Sequence, residues 1–222
     1  MRALRAATMR RTPAETLVQK LLRPHLMLPN SAQTHACKCI IWIVLAFLMG
    51  YFTGIYTGHL NRLQIFSQYT DYLMQAQTYA SFRQNWLRLF SIAFLQASFV
   101  YVCGFHLWGH VLISACFAFK GAMLGMCASR VYNTGGARQL LFYWILNFLP
   151  ELTLSALILW LAYTACGVCK RIADMTFLGC RGTLGSSVRR LSIRYLFCVA
   201  ACAFGSVLFS GSAIIFVNVI FS

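Results

Sequence analysis

A lysine at position 120 and a glutamate at position 151 stand inside two successive apolar runs of this 222-residue chain. A charged side chain at bilayer depth is costly, so such charges turn toward the bundle interior and tend to pair. Two chemistries fit them: an ion pair that fixes helix packing, or a relay for protons or ions. Lys120 precedes Arg130, and Glu151 follows Arg138, by about three helical turns each, which gives them similar depth and favours direct contact. Gly121 and Gly125 adjoin the lysine, flanked by Ala118, Ala122 and Ala128, a thin surface that lets another helix come close. Pro150 stands beside Glu151, after Asn147, and frees a backbone carbonyl one turn earlier. Gly50, Gly54 and Gly58 recur every fourth residue in the first run and form a second close-packing face, with intrachain packing favoured over dimerisation.

Other chemistry has too little material. The histidines are His25, His35, His59, His106 and His110; the last two can share a helix face, but no acid stands near them in sequence to orient a metal ligand. No metal, no cofactor and no catalytic residue is expected. Asp71 and Asp174 fall in segments read as loops, so no intramembrane aspartate pair forms. No phosphate-binding glycine loop appears either, which excludes an ATPase within the chain. Among ten cysteines, Cys37 with Cys39 and Cys166 with Cys169 are closely spaced. Neither pair has the second pair that a zinc ribbon needs, so packing by reduced thiols is expected.

The elements that must position these residues follow from composition. The chain is 59% hydrophobic and 10% charged, against about 25% charged for a soluble domain. That implies lipid as solvent. The 19 basic residues against 4 acidic ones lie between apolar runs rather than on one face, the arrangement of topology signals and not of a nucleic-acid interface. The runs cover about 39–58, 89–108, 110–130, 139–166 and 195–221, each near the roughly 20 residues that cross a bilayer. The fold class is therefore all-α: a polytopic membrane protein of about five transmembrane helices. Spans two and three are joined by a tight helical hairpin at 104–110, where Trp108 can anchor at the interface.

Residues 1–38 form a basic tail, expected to be cytoplasmic and near anionic lipid, with an organelle transit peptide as the lesser alternative. The tail and the 167–194 segment, read as a cytoplasmic loop, carry most of the lysines and arginines. Arg62, Arg83, Arg88, Arg130 and Arg138 fall on the other side. The N-terminus is thus expected inside and the C-terminus outside. Segment 59–88 is extracytoplasmic and has Leu60, Leu63, Phe66, Tyr69 and Leu73 at roughly helical spacing, suggesting a packed amphipathic helix.

Four blocks in this order, Phe47-Leu-Met-Gly50, Phe119-Lys-Gly121-Ala-Met-Leu-Gly125, Leu149-Pro-Glu151-Leu and Arg194-Tyr-Leu-Phe197, resemble the stage II sporulation protein M family. The resemblance covers about 38–220; the basic extension and the cysteine content depart from it. It implies a membrane scaffold without hydrolase activity at the engulfing septum of the mother cell in endospore-forming bacteria. It also implies partnership with stage II sporulation proteins D and P, which remodel peptidoglycan. Lys120, Gly121, Gly125, Pro150 and Glu151 would then be architectural or partner-facing. The rival expectation is a small transporter or channel component with a Lys120/Glu151 polar path.

Overall fold

The computed structural model describes residues 30–59, 81–178 and 184–221; among them every regular element is helical. These are α1 (Asn30–His59), α2 (Phe82–Cys103), α3 (Gly109–Tyr143), a π-helical turn (Trp144–Phe148), α4 (Leu149–Leu178) and α5 (Gly185–Phe221). The chain divides into Met1–Thr34, of which only the start of α1 is described, and a unit from His35 onward that holds everything discussed below. The expected amphipathic helix between the first two spans falls largely on 60–80, outside the described residues, as do residues 1–29 of the basic tail; residues 30–38, expected to belong to that tail, are instead the first turns of α1.

The helices are inside-out relative to a soluble bundle. Trp42, Met49, Phe52 and Tyr56 on α1, Leu95 on α2, Phe119 on α3 and Leu196 and Phe204 on α5 are exposed. Alanine, cysteine and serine fill much of the interior: Ala93, Ala97, Ala162, Ala165, Cys198, Cys202, Ser206 and Ser210 are buried. Larger side chains share that interior, with Ile43, Leu89, Ile113, Leu154, Ile158 and Leu161 almost fully buried. Small residues at helix contacts and large apolar ones on the outside fit lipid-solvated packing, because hydrocarbon gives helices no hydrophobic reason to associate and close approach must supply the attraction. Four helices are long and apolar enough to cross a membrane: Lys38–His59, Phe82–Cys103, Gly109–Phe177 and Gly185–Phe216.

The third of these is folded. A straight helix of 69 residues would reach about 100 Å, far beyond any bilayer. Gly136 leaves the helical region (φ 69°, ψ −165°), a conformation open to glycine at little cost. The chain there turns back, so that Tyr143 Oη donates to the Leu124 carbonyl at 3.4 Å. The expected outer loop between Arg130 and Arg138 is therefore helical on both sides of one glycine.

Helix boundaries differ from the hydropathy reading. α2 begins at Phe82 rather than near 89, because backbone hydrogen bonding continues through the polar turn holding Arg83 and Asn85. It ends at Cys103, and residues 104–108 make the short turn to α3, with Gly104 N–H bonded to Val100 O and His106 N–H to Cys103 O. The 167–194 segment is mostly helix: α4 runs to Leu178 and α5 starts at Gly185. Asp174 is accordingly helical, not in a loop. Nothing in 167–178 breaks a helix except Gly167, and Val168 and Cys169 are buried there, so packing carries the helix past the end of the apolar run.

α2 is the central helix and packs on α3, α4 and α5. Its buried positions Leu89, Ala93, Gln96, Ala97, Val100 and Cys103 fall at spacings of three and four, one continuous stripe. Against α5 it makes two hydroxyl bonds, Ser98 with Tyr195 at 2.9 Å and Tyr101 with Ser192 at 3.0 Å, and the Tyr101 and Tyr195 rings stack at 4.6 Å. We expect Tyr195→Phe to keep the stacking and lose about 1 kcal/mol, as polar interhelical bonds in membranes do. Thermal unfolding in detergent checks this, and an unchanged midpoint would show the hydroxyl pair to be dispensable.

Candidate functional site

The site begins with how α3 divides its faces. Gly121 and Gly125 meet α1: a Cβ on Gly121 would collide with the Phe47 carbonyl oxygen, and one on Gly125 with that of Tyr51. Reciprocally, Gly50 abuts the Ala118 carbonyl and Gly54 that of Ala122, while Gly58 lies against Met126 and Ser129. The two glycine stripes are thus the two sides of one seam. Lys120 is the next residue round the α3 helix from Gly121, about 100° away, and its side chain reaches α2 and α4 instead.

Lys120 Nζ lies 3.4 Å from Glu151 Oε2, with the two side chains 11% and 15% exposed. The same ammonium donates to Gln96 Oε1 at 2.9 Å. Lys120 and Glu151 are 31 positions apart, about 46 Å along a straight helix; the fold at Gly136 is what brings them together. A second polar contact stands about one turn along α4's approach. Arg88 Nη2 donates to Asn147 Oδ1 and to Asn85 Oδ1, both at 2.9 Å. Asn85, Gln96 and Asn147 are all buried.

Pro150 explains the local geometry. It has no N–H for the Leu146 carbonyl, and its ring crowds the preceding turn. The chain widens to π spacing over Trp144–Phe148, with the Leu149 N–H bonded to Trp144 O. That insertion turns both Asn147 and, one turn on, Glu151 toward α2 and α3. π-turns recur at functional sites. The next turn is tied down by Thr153 Oγ1 donating to Pro150 O at 2.8 Å and Ser155 Oγ to Glu151 O at 2.6 Å.

α2, α3 and the start of α4 enclose a groove of about 1050 Å³ around these groups. Its walls are chiefly apolar, including Leu95, Phe99 and Met123, and its polar residues include Gln96, Lys120, Asn147 and Glu151. Gln96 is absent from the sequence reading, while Asn147 enters it only as a neighbour of Pro150 and Arg88 only as a charge on the outer side. The logic that singled out Lys120 applies to them: an amide in an apolar run must find a partner, which marks it as a candidate.

The remaining sequence candidates lie elsewhere. His106 and His110 are exposed near the 104–108 turn, and among the described residues no group of three or more His, Cys, Asp or Glu is arranged to hold a metal. Cys166 and Cys169 are free and buried; the Cys169 thiol donates to the Cys103 and Gly104 carbonyls, at 3.4 and 3.5 Å, where α2 ends. Arg194, in the fourth resemblance block, sits 5.0 Å from the Trp160 ring centroid and donates to Thr164 Oγ1.

No protein-family model, curated protein or solved structure matches this chain. What the site can do follows from its own groups. Lys120 is held by an acid and an amide, so it is a fixed charge inside a neutral pair, and the surrounding walls suit hydrocarbon.

Proposed function

We propose that this chain is a non-enzymatic membrane scaffold of five crossings whose charged centre holds the bundle in one packing. The observation that carries this is Lys120 in direct contact with both Glu151 and Gln96: each charge is satisfied within the fold. Truncating one partner of such a pair is severely disruptive, so the pair specifies which helix faces meet. Counting the two arms of the folded third helix separately, at Gly136, supports five spans and a hairpin through 104–108. The positions of the arginines and lysines support an N-inside, C-outside topology.

The finer assignment rests on the four blocks that resemble stage II sporulation protein M. Under it, the scaffold anchors peptidoglycan-remodelling enzymes, stage II sporulation proteins D and P, at the engulfing septum of the mother cell. Three of the blocks share the same neighbourhood here: Gly121 on Phe47, and Lys120 on Glu151. On this reading the extracytoplasmic segment 59–88 supplies the docking surface for those enzymes, except for Arg88, which is committed to Asn85 and Asn147 inside the bundle.

A tagged copy expressed at its natural level and solubilised from native membranes should enrich cell-wall hydrolases. Replacing 60–80 by a neutral linker of equal length should abolish that enrichment while membrane insertion persists. Unchanged recruitment would remove this segment from the docking role, and recovery of the protein alone would remove the scaffold.

A transporter or channel component is the second reading, favoured by the polar run from Arg88 and Asn147 to Glu151, Lys120 and Gln96. It requires ion or solute flux in liposomes that disappears in Lys120→Met. The scaffold requires no flux from the wild-type chain.

A further inference from the structure

The ion pair leaves hydrogen-bonding capacity unused on the groove. Gln96 is 6% exposed, and its Nε2 has no hydrogen-bond partner. The amide cannot flip to repair this, because its Oε1 already accepts from Lys120. Among the described residues, the ammonium donates one hydrogen bond, to Gln96, and stands 3.4 Å from Glu151 Oε2 as an ion pair. One groove thus offers donors and an acceptor close together, surrounded by apolar wall.

Three features narrow the occupant. The floor has one positive and one negative charge, so an added ion would stand uncompensated at bilayer depth. The groove holds about 1050 Å³, at the large end of small-molecule sites, as a long chain needs. Its rim is Leu95 and Phe119, 75% and 66% exposed on the surface read here as lipid-facing, so entry is lateral from the bilayer. A hydroxyl is the smallest head that donates to Glu151 while accepting from Gln96 or Lys120, without charge.

We propose that the groove between α2, α3 and α4 binds a neutral long-chain or isoprenoid alcohol, with its hydroxyl between Gln96, Lys120 and Glu151 and its chain along Leu95, Phe99 and Met123. This is independent of the scaffold's partners. It gives the groove a lipid ligand that the bundle recognises by hydrogen bonding and not by charge.

The test uses the full-length chain in phosphatidylcholine nanodiscs with hexadecanol bearing a photoreactive diazirine in its chain. After irradiation, mapped label should concentrate at Leu95, Phe99 and Met123, and unlabelled hexadecanol should displace it. Palmitate, tested at pH 9 so that its carboxyl is ionised even at the bilayer surface, should need at least roughly tenfold more. Gln96→Leu, which keeps shape and removes the amide, should raise the competing concentration roughly 5- to 10-fold. Leu95→Trp, at an exposed rim position where folding is least at stake, should suppress labelling. Label spread without saturation over lipid-facing Phe52, Leu196 and Phe204 would overturn the proposal, as would palmitate competing equally. So would a groove that takes no label in native membranes because the Leu95→Cys variant cross-links there to another polypeptide, the result expected of a partner helix.

Discussion

Gly121→Leu should unseat α1. The new Cβ would enter the space of the Phe47 backbone carbonyl oxygen, and a backbone cannot rotate away as a side chain can. The flanking turns offer no relief, since Gly50, Gly54 and Gly125 are equally closed by carbonyls of the facing helix. The helices must separate along their whole seam, forfeiting dispersion contacts that fall off steeply with even a small gap. Overpacking usually costs about 1–3 kcal/mol; a backbone collision in a seam whose attraction is close approach should cost on the order of 3 kcal/mol or more. Thermal unfolding of the detergent-purified protein, followed by size-exclusion profile, measures it. Gly167→Ala and Gly211→Ala are the internal controls. Both glycines are helical and an added Cβ meets nothing within 4 Å, so each should be neutral or stabilising by about 0.5–1 kcal/mol. Gly121→Leu behaving like those controls would show that α1 is not held on α3 through this seam.

That seam was legible in the sequence because spacing and residue type carry the same message. Glycines at every fourth position can only make a stripe, and a stripe with no side chains has one obvious use in lipid. Lys120 and Glu151 were legible for a related reason: cost at depth compels contact, and equal depth permits it. The helix ends were not. Hydropathy records where lipid is tolerated, whereas hydrogen bonding and packing decide where helix stops, so α2 starts earlier than its apolar run and α4 continues past its own. Gly136 was hidden differently. Gly135-Gly136 reads as a loop signal, yet only Gly136 leaves helical geometry, and the reversal takes a single residue. Gln96, and the contacts of Asn147 and Arg88, were not legible because an isolated polar residue has no period. Which face it occupies emerges only when Pro150 and its π-turn set the rotation of α4's first turns.

Lys120→Met tests the centre itself. The substitution fits the apolar wall, but it leaves Glu151 without its cation and Gln96 Oε1 without its donor. Removing one member of a buried pair typically costs about 3–5 kcal/mol, most of it from the charge left behind. Glu151→Leu leaves the lysine instead and should cost a similar amount, tempered by the remaining Gln96 bond. Lys120→Met with Glu151→Leu removes both charges and should regain much of the loss, since apolar replacements of whole pairs are often neutral. The decisive variant is Lys120→Glu with Glu151→Lys. It restores opposite charges at the same sites, and Gln96 can accommodate it by turning its amide to present Nε2 to the new carboxylate. The exchanged protein should therefore recover most of the stability that either single reversal destroys, read as a coupling energy in a double-mutant cycle. If the exchange is no better than Lys120→Glu alone, the two charges are not coupled, and the centre has to be sought in the Arg88–Asn147 contact. If coupling is strong while the wild-type chain conducts nothing in liposomes, the pair is a device for holding α2, α3 and α4 in register.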